Sequence, residues 1–80
     1  MKQVILPELG EGVESANVTF WYFKEGDTVK EKDDLVELTT EKAAFNLPSP
    51  CSGVLAQILL KEGNTVKVGE VLALIDEQAA

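Results

Sequence analysis

The residues able to do chemistry are few. The chain of 80 residues holds seven lysines, fourteen aspartates and glutamates and one cysteine, Cys51, with no histidine and no arginine. Without histidine, neither a Ser-His-Asp nor a Cys-His nucleophile can be assembled, nor a zinc site built on histidine, and one cysteine supplies neither a CxxC pair nor an internal disulfide. Cys51 reads as a small apolar residue near the core, which fits a reducing compartment. What remains is lysine chemistry. A lysine nucleophile needs burial or a cationic neighbour to lower its pKa. Lys42, the lysine with the most distinctive setting, lies beside Glu41 at an expected exposed tip, so a stand-alone catalyst is not expected.

The elements around Lys42 set it apart from the other lysines. On its N-terminal side Val36, Leu38 and Thr40 alternate with Glu37 and Thr39. On its C-terminal side Phe45 and Leu47 alternate with Ala44 and Asn46. This period of two marks half-buried strands, and the pair reads as a hairpin with Glu41-Lys42 at its tip. Two-residue hairpin loops favour Asn-Gly or Gly-Gly because they need positive φ, a demand that Glu-Lys meets badly. The rival is a helix, because residues 37–44 include several good helix formers. Against it stand the β-branched pair Thr39-Thr40 and the nearby Pro48.

Net charge is −7 and the lysines are scattered. Nucleic acid is therefore a poor partner, and a basic surface on a larger protein a better one. No apolar run approaches the roughly 18 residues of a membrane span, and Met1-Lys2-Gln3-Val4-Ile5 lacks the apolar core of a signal peptide. The expectation is a monomeric cytoplasmic domain over 1–77, with 78–80 beginning a linker or marking a cut end.

The rest of the chain is organised by a repeat. Lys24-Glu25-Gly26-Asp27-Thr28-Val29-Lys30 returns as Lys61-Glu62-Gly63-Asn64-Thr65-Val66-Lys67, an offset of 37 positions. Carried along the chain, the offset pairs Trp21 with Ile58, Phe23 with Leu60, Leu35 with Leu72 and Leu38 with Ile75. Each half is then strand, tight glycine turn, short strand, turn, strand, with Gly26 and Gly63 at positive φ. Residues 2–6 add a strand that Pro7, Gly10 and Gly12 break into a loop, and Pro48-Ser49-Pro50-Cys51-Ser52-Gly53 joins the halves. The longest strand, over 15–23, ends in Phe20-Trp21-Tyr22-Phe23, read as core on one face and a partly covered flank on the other. The predicted fold is all-β: two antiparallel sheets of about four strands in a flattened barrel or sandwich of two similar halves facing each other. The repeat matches Lys42 with Ala79, which predicts the Lys42 hairpin at one pole and the termini at the other.

At this point the chain resembles the lipoyl domains of the dihydrolipoyl acyltransferase (E2) component of 2-oxo acid dehydrogenase complexes, within the wider biotinyl/lipoyl family. The likeness rests on Leu6-Pro7-Glu8-Leu9-Gly10-Glu11-Gly12, the two repeated turns, Leu47-Pro48-Ser49-Pro50 with Gly53, and Thr39-Thr40-Glu41-Lys42-Ala43 where the family usually has Glu-Thr-Asp-Lys-Ala. Thr39 replaces the first acid and Glu41 the aspartate. Related biotinyl domains carry Met on both sides of the lysine, which Glu41 and Ala43 do not match. The resemblance implies lipoic acid joined covalently to Lys42, with Thr40, Glu41 and Ala43 contributing to recognition. It implies a swinging arm that visits a thiamine-dependent E1 decarboxylase, the E2 catalytic core and the flavin-dependent E3 dihydrolipoyl dehydrogenase, after loading by a lipoate ligase or lipoyl transferase. The loop carrying Glu8, Gly10, Glu11 and Gly12 is implied as a recognition surface for E1. A bacterial cytoplasm, or the mitochondrial matrix in a eukaryote, is the compartment implied. The alternatives are a biotin carrier of the same fold and an unmodified β-sandwich used only for protein contacts.

Overall fold

The computed structural model describes residues 1–10 and 12–78. These residues contain eight strands: β1 Lys2–Ile5, β2 Ser15–Trp21, β3 Thr28–Val29, β4 Asp34–Thr39, β5 Ala44–Pro48, β6 Gly53–Ile58, β7 Thr65–Lys67 and β8 Val71–Asp76. All pairings are antiparallel, in two four-stranded sheets of order β1-β8-β6-β3 and β5-β4-β2-β7. The alternating apolar residues seen in the sequence turn inward between the sheets. Val18, Leu35, Val36 and Leu38 meet Leu55, Leu72 and Ile75 in one core, and the last six of these are fully buried. Leu35-Val36 and Leu72-Ala73 are buried as adjacent pairs because the register shifts in β4 between Asp34 and Val36 and, at the matching place, where β8 meets β1. Such bulges let consecutive residues share one face.

The repeat is present in the hydrogen bonds, and it interleaves the halves. Each sheet takes two strands from either half instead of one half forming one sheet. Gly26 N–H donates to Leu55 O (2.7 Å) and Gly63 N–H to Val18 O (2.9 Å), while Leu55 N–H donates to Asp27 O and Val18 N–H to Asn64 O, each at 2.8 Å. Both glycines of the repeated turn are thus held by the other half, so neither half could complete these bonds alone. Gly26 and Gly63 have φ of 94° and 93°, the positive values expected of them. β2 stops at Trp21, two residues short of the predicted end. There the chain bends into the turn in which Lys24 N–H donates to the Asp27 carboxylate at 2.8 Å.

The offset of 37 fails only at β1 and β5. Gln3 faces Leu74 as Asn46 faces Glu37, which relates β1 to β5 by 43 positions. The β1–β2 crossover is therefore six residues longer than the β5–β6 crossover. Ala79, on which the matching of poles rested, lies outside the described residues. Among the described ones, Asp34 opens β4 beside Pro48, near Lys32 and Ser49, and β4 then runs away from that end to Thr39. Lys2, Glu31 and Glu77 gather around Cys51 at the Asp34 end, so the start of β1 and the residues just past β8 lie away from the Lys42 hairpin.

Candidate functional site

Lys42 lies in the connection between β4 and β5, beyond the last ladder pair Thr39–Ala44. Thr40 closes this tip. Its N–H donates to Ala43 O at 2.8 Å. Its hydroxyl donates to the same oxygen at 3.1 Å and accepts from the N–H groups of Lys42 and Ala43, each at 3.3 Å. A hydroxyl has one donor and two acceptor positions, and all are used here. Lys32 is the only non-glycine with positive φ among the described residues, so Glu41 and Lys42 turn the chain without the left-handed backbone that hairpins usually need. A side-chain hydroxyl does the work of a turn glycine. Glu41, Lys42 and Ala43 are exposed.

The long β1–β2 crossover packs beside this tip. Gly12, Val13, Glu14 and Ser15 line an open cleft of about 280 Å³ with Thr40, Glu41 and Lys42. The loop is tied down at both ends, by Leu6 N–H donating to Glu70 O (3.1 Å) and by Val68 N–H donating to Glu14 O (2.9 Å), and closes a turn of its own where Val13 N–H donates to Gly10 O (3.2 Å). Gly10 and Gly12 carry φ of 122° and 82°, conformations that favour glycine. Glu8 and Gly10 face a neighbouring hollow, shared with Lys67 and Val68 and joined to the cleft through Gly12 to Glu14. The structure thus brings Gly12, Thr40, Glu41 and Lys42 together, with Glu8 and Gly10 one hollow away and Ala43 on the tip outside the cleft lining. Glu11 lies outside the described residues.

This geometry suits a lysine that carries a load. The Lys42 amine is exposed on a backbone fixed by four hydrogen bonds, and the neighbouring cleft is too open and polar to desolvate a nucleophile. Lys42 is exposed, so a substituent on Nζ can point to solvent. Cys51 is half-buried at the far end of the molecule, a free thiol packed against the core. Burial pushes its pKa up, Glu77 and Glu31 add to the rise and Lys2 opposes it, so it stays protonated and inert at neutral pH. The aromatic run divides as expected: Trp21 is buried, while Phe20 and Tyr22 stand 50% and 44% exposed on the outer flank. What the sequence reading left out is their match, under the offset of the repeat, to Gln57 and Leu59.

The model of the biotin/lipoyl family, described as "Biotin-requiring enzyme", matches residues 2–75. The chain belongs to the biotinyl/lipoyl domain family. It is 39% identical over 71 residues to the dihydrolipoyllysine-residue acetyltransferase component of the Staphylococcus epidermidis pyruvate dehydrogenase complex, covering 89% of this chain and 16% of that protein. To the succinyltransferase component of the Rickettsia bellii 2-oxoglutarate dehydrogenase complex it is 42% identical over 78 residues, covering 98% of this chain and 20% of that protein. Its fold matches the solution structure of the lipoyl domain of the Azotobacter vinelandii 2-oxoglutarate dehydrogenase complex. The TM-score is 0.76 at 31% identity, covering 94% of this chain and 95% of that one. The chain therefore spans about a fifth or less of the curated relatives and nearly all of a solved lipoyl domain. In the biotinyl/lipoyl fold of this chain no helix of the described residues is long and apolar enough to cross a membrane.

Proposed function

We propose that this chain is the lipoyl carrier domain of a dihydrolipoyl acyltransferase (E2), with lipoic acid joined as an amide to Lys42 Nζ. The observation that carries the reading is a Thr-Glu-Lys-Ala tip, exposed and closed by the Thr40 hydroxyl, on a fold that matches a solved lipoyl domain. Flanking Glu41 and Ala43, where biotinyl domains carry Met, favour lipoate over biotin. When bound, lipoate would supply a disulfide that takes up an acyl group as a thioester with reduction at E1, passes it to coenzyme A at the E2 core, and is left as a dithiol for E3 to reoxidise. The chain's residues do the presenting. Amide formation removes the Lys42 charge, the Thr40 hydrogen bonds hold the tip at a fixed angle, and the eight strands keep it rigid. Tethering turns each visit to E1, the E2 core or E3 into an effectively intramolecular encounter, at a local concentration of order millimolar. The crossover bearing Glu8, Gly10, Glu11 and Gly12, six residues longer than its counterpart, provides the surface that E1 reads beside the arm. A lipoate ligase or lipoyl transferase reads Thr40, Glu41 and Ala43. The domain works as a monomer in the bacterial cytoplasm.

The experiment is intact mass and peptide mapping after incubation with lipoate, ATP and lipoate ligase. One lipoyl group on Lys42, and none on Lys42→Ala, is the expected result. Full modification persisting in Lys42→Ala, or streptavidin-reactive protein from cells, overturns it. The 2-oxo acid is then read by offering the lipoylated domain to E1 with pyruvate, 2-oxoglutarate or a branched-chain acid, since relatives at 39% and 42% identity belong to two different complexes.

A further inference from the structure

The Lys42 sheet carries an aromatic pair for which the fold has no use. Phe20, on the outer side of β2, and Tyr22, the residue just past the end of that strand, pack edge to face at 5.1 Å between centroids. Phe20 sits opposite Glu37 on β4, and Glu37 opposite Asn46 on β5. The Tyr22 hydroxyl lies 3.0 Å from Asn46 Oδ1, which brings the ring across the sheet toward β5. The pseudo-symmetric face of the other sheet has the same strand pairings and the same register shift, with Gln57 and Leu59 in place of the two rings. Both rings remain about half exposed. The fold is satisfied by glutamine and leucine there, so the aromatic pair answers to something else on the Lys42 side.

Taking Lys42 as the lipoylated residue, we infer that the dithiolane at the end of its arm folds back along the outer face of β4 and β5 and rests against the Phe20–Tyr22 pair. Reach allows it. Asn46 is four residues from Lys42, at most about 14 Å between Cα atoms for extended chain. The lysine and lipoyl chains together extend roughly 14 Å from Cα to the ring at ordinary bond lengths. The chemistry also matches, because a neutral, polarizable pair of sulfurs gains from contact with aromatic edges. Along the way the face offers Ala44 and the Thr19–Thr39 hydroxyl pair, which bond to each other at 2.6 Å; the charges beside the seat are Glu37, between Phe20 and Asn46, and the Asp34 carboxylate, which accepts from Asn46 Nδ2. The polar cleft beside Lys42, in which Val13 is the one apolar side chain, makes a poorer seat. Phe20 and Tyr22 also wall an open groove of about 420 Å³ that runs on, away from β4 and β5, toward Ile58, Lys61 and Glu62.

The test is NMR of the domain before and after enzymatic lipoylation, with intact mass and peptide mapping on the same sample. Expected are cross-relaxation peaks between dithiolane protons and the Phe20 and Tyr22 rings, and ring shifts that move on lipoylation. The double variant Phe20→Gln/Tyr22→Leu copies the opposite face, so it should fold. In it the dithiolane signals should sharpen as the arm is released. A Lys42 that takes no lipoate overturns the carrier reading and this inference with it. A fully lipoylated Lys42 with unmoved ring shifts, or with peaks to Val13 instead, overturns the docking alone.

Discussion

The two halves of this molecule share one frame and differ where the chemistry is. Under the repeat, β2-β3-β4 maps on β6-β7-β8 with matching pairs, bulges and turn bonds, down to Tyr22 N–H on Leu35 O and Leu59 N–H on Leu72 O at 2.9 and 2.8 Å. The hairpin with Lys42, the extra length of the β1–β2 crossover and the aromatic pair have no equivalent among the described residues of the other half. The first two line one cleft, and the aromatic pair lies on the outer face of the same sheet, β5-β4-β2-β7. What the halves hold in common is what folding requires, and what distinguishes them falls on the sheet that carries Lys42 and on the loop beside it. Substitutions at matched positions separate the two demands.

The largest expected effect is at Gly53, whose counterpart is Ala16. A Cβ built on Gly53 would stand 2.5 Å from Asp76 O and 2.8 Å from Ile75 Cγ2, whereas Ala16 carries its Cβ in the core at 3% exposure. Gly53→Ala must move the β8 backbone, which at overpacking costs predicts a loss of roughly 3 kcal/mol. Ala16→Gly removes one methyl and adds backbone freedom, for about 1 kcal/mol. Urea midpoints of the two variants check this. Equal losses would mean the halves pack alike at this position after all.

Gly26→Ala and Gly63→Ala come next, and here the halves should agree. Nothing lies within 4 Å of either added Cβ, so the penalty is purely conformational, about 1 kcal/mol each at φ near 94° and 93°. In a domain whose total stability is of order 4–12 kcal/mol, each is readable in a denaturant melt. Losses differing by more than about 0.5 kcal/mol would break the equivalence of the turns. Thr40→Val probes the tip that only one half possesses. It keeps the branched shape, removes three hydrogen bonds, and should cost about 0.5–1 kcal/mol because the freed groups reach water. Its clearer readout is slower lipoylation of Lys42 with the fold intact by circular dichroism.

Much of this was legible in the sequence, for identifiable reasons. Alternation in Val36, Leu38, Phe45 and Leu47 gave the hairpin, because a period of two has few structural alternatives at that length. The Lys-Glu-Gly repeat gave the matched turns, because positive φ leaves glycine as its mark. Other features had no such mark. The adjacent buried pair Leu35-Val36 depends on a bulge, which is a property of two strands in register. The clash awaiting a Cβ at Gly53 depends on how closely β8 approaches. The closure of the tip by Thr40 is a matter of side-chain geometry in a residue that alternation had counted simply as strand. Phe20 and Tyr22 fall on the partly covered flank that the aromatic run was expected to have, and only comparison with Gln57 and Leu59 at the matched positions shows that the other half has no such pair.

The smallest effect, and the most delicate test of the repeat, is at Lys32 and Gly69. Both open the turn before the last strand of their half, with φ of 76° and 91°. Each donates its N–H to the end of a matching strand, Lys32 to Ser49 O and Gly69 to Leu6 O, both at 2.9 Å. One half pays left-handed strain for a lysine where the other uses glycine. Lys32→Gly relieves roughly 1 kcal/mol of strain but gives the unfolded chain about 0.5 kcal/mol of extra freedom, leaving a net gain of about 0.5 kcal/mol. Gly69→Lys reverses both contributions and should lose about the same. The double exchange should then melt within error of the parent, because the side chain of Lys32 is exposed and far from Gly69's turn. If Lys32→Gly destabilises, Lys32 is held by its side chain and the two turns are alike in backbone only.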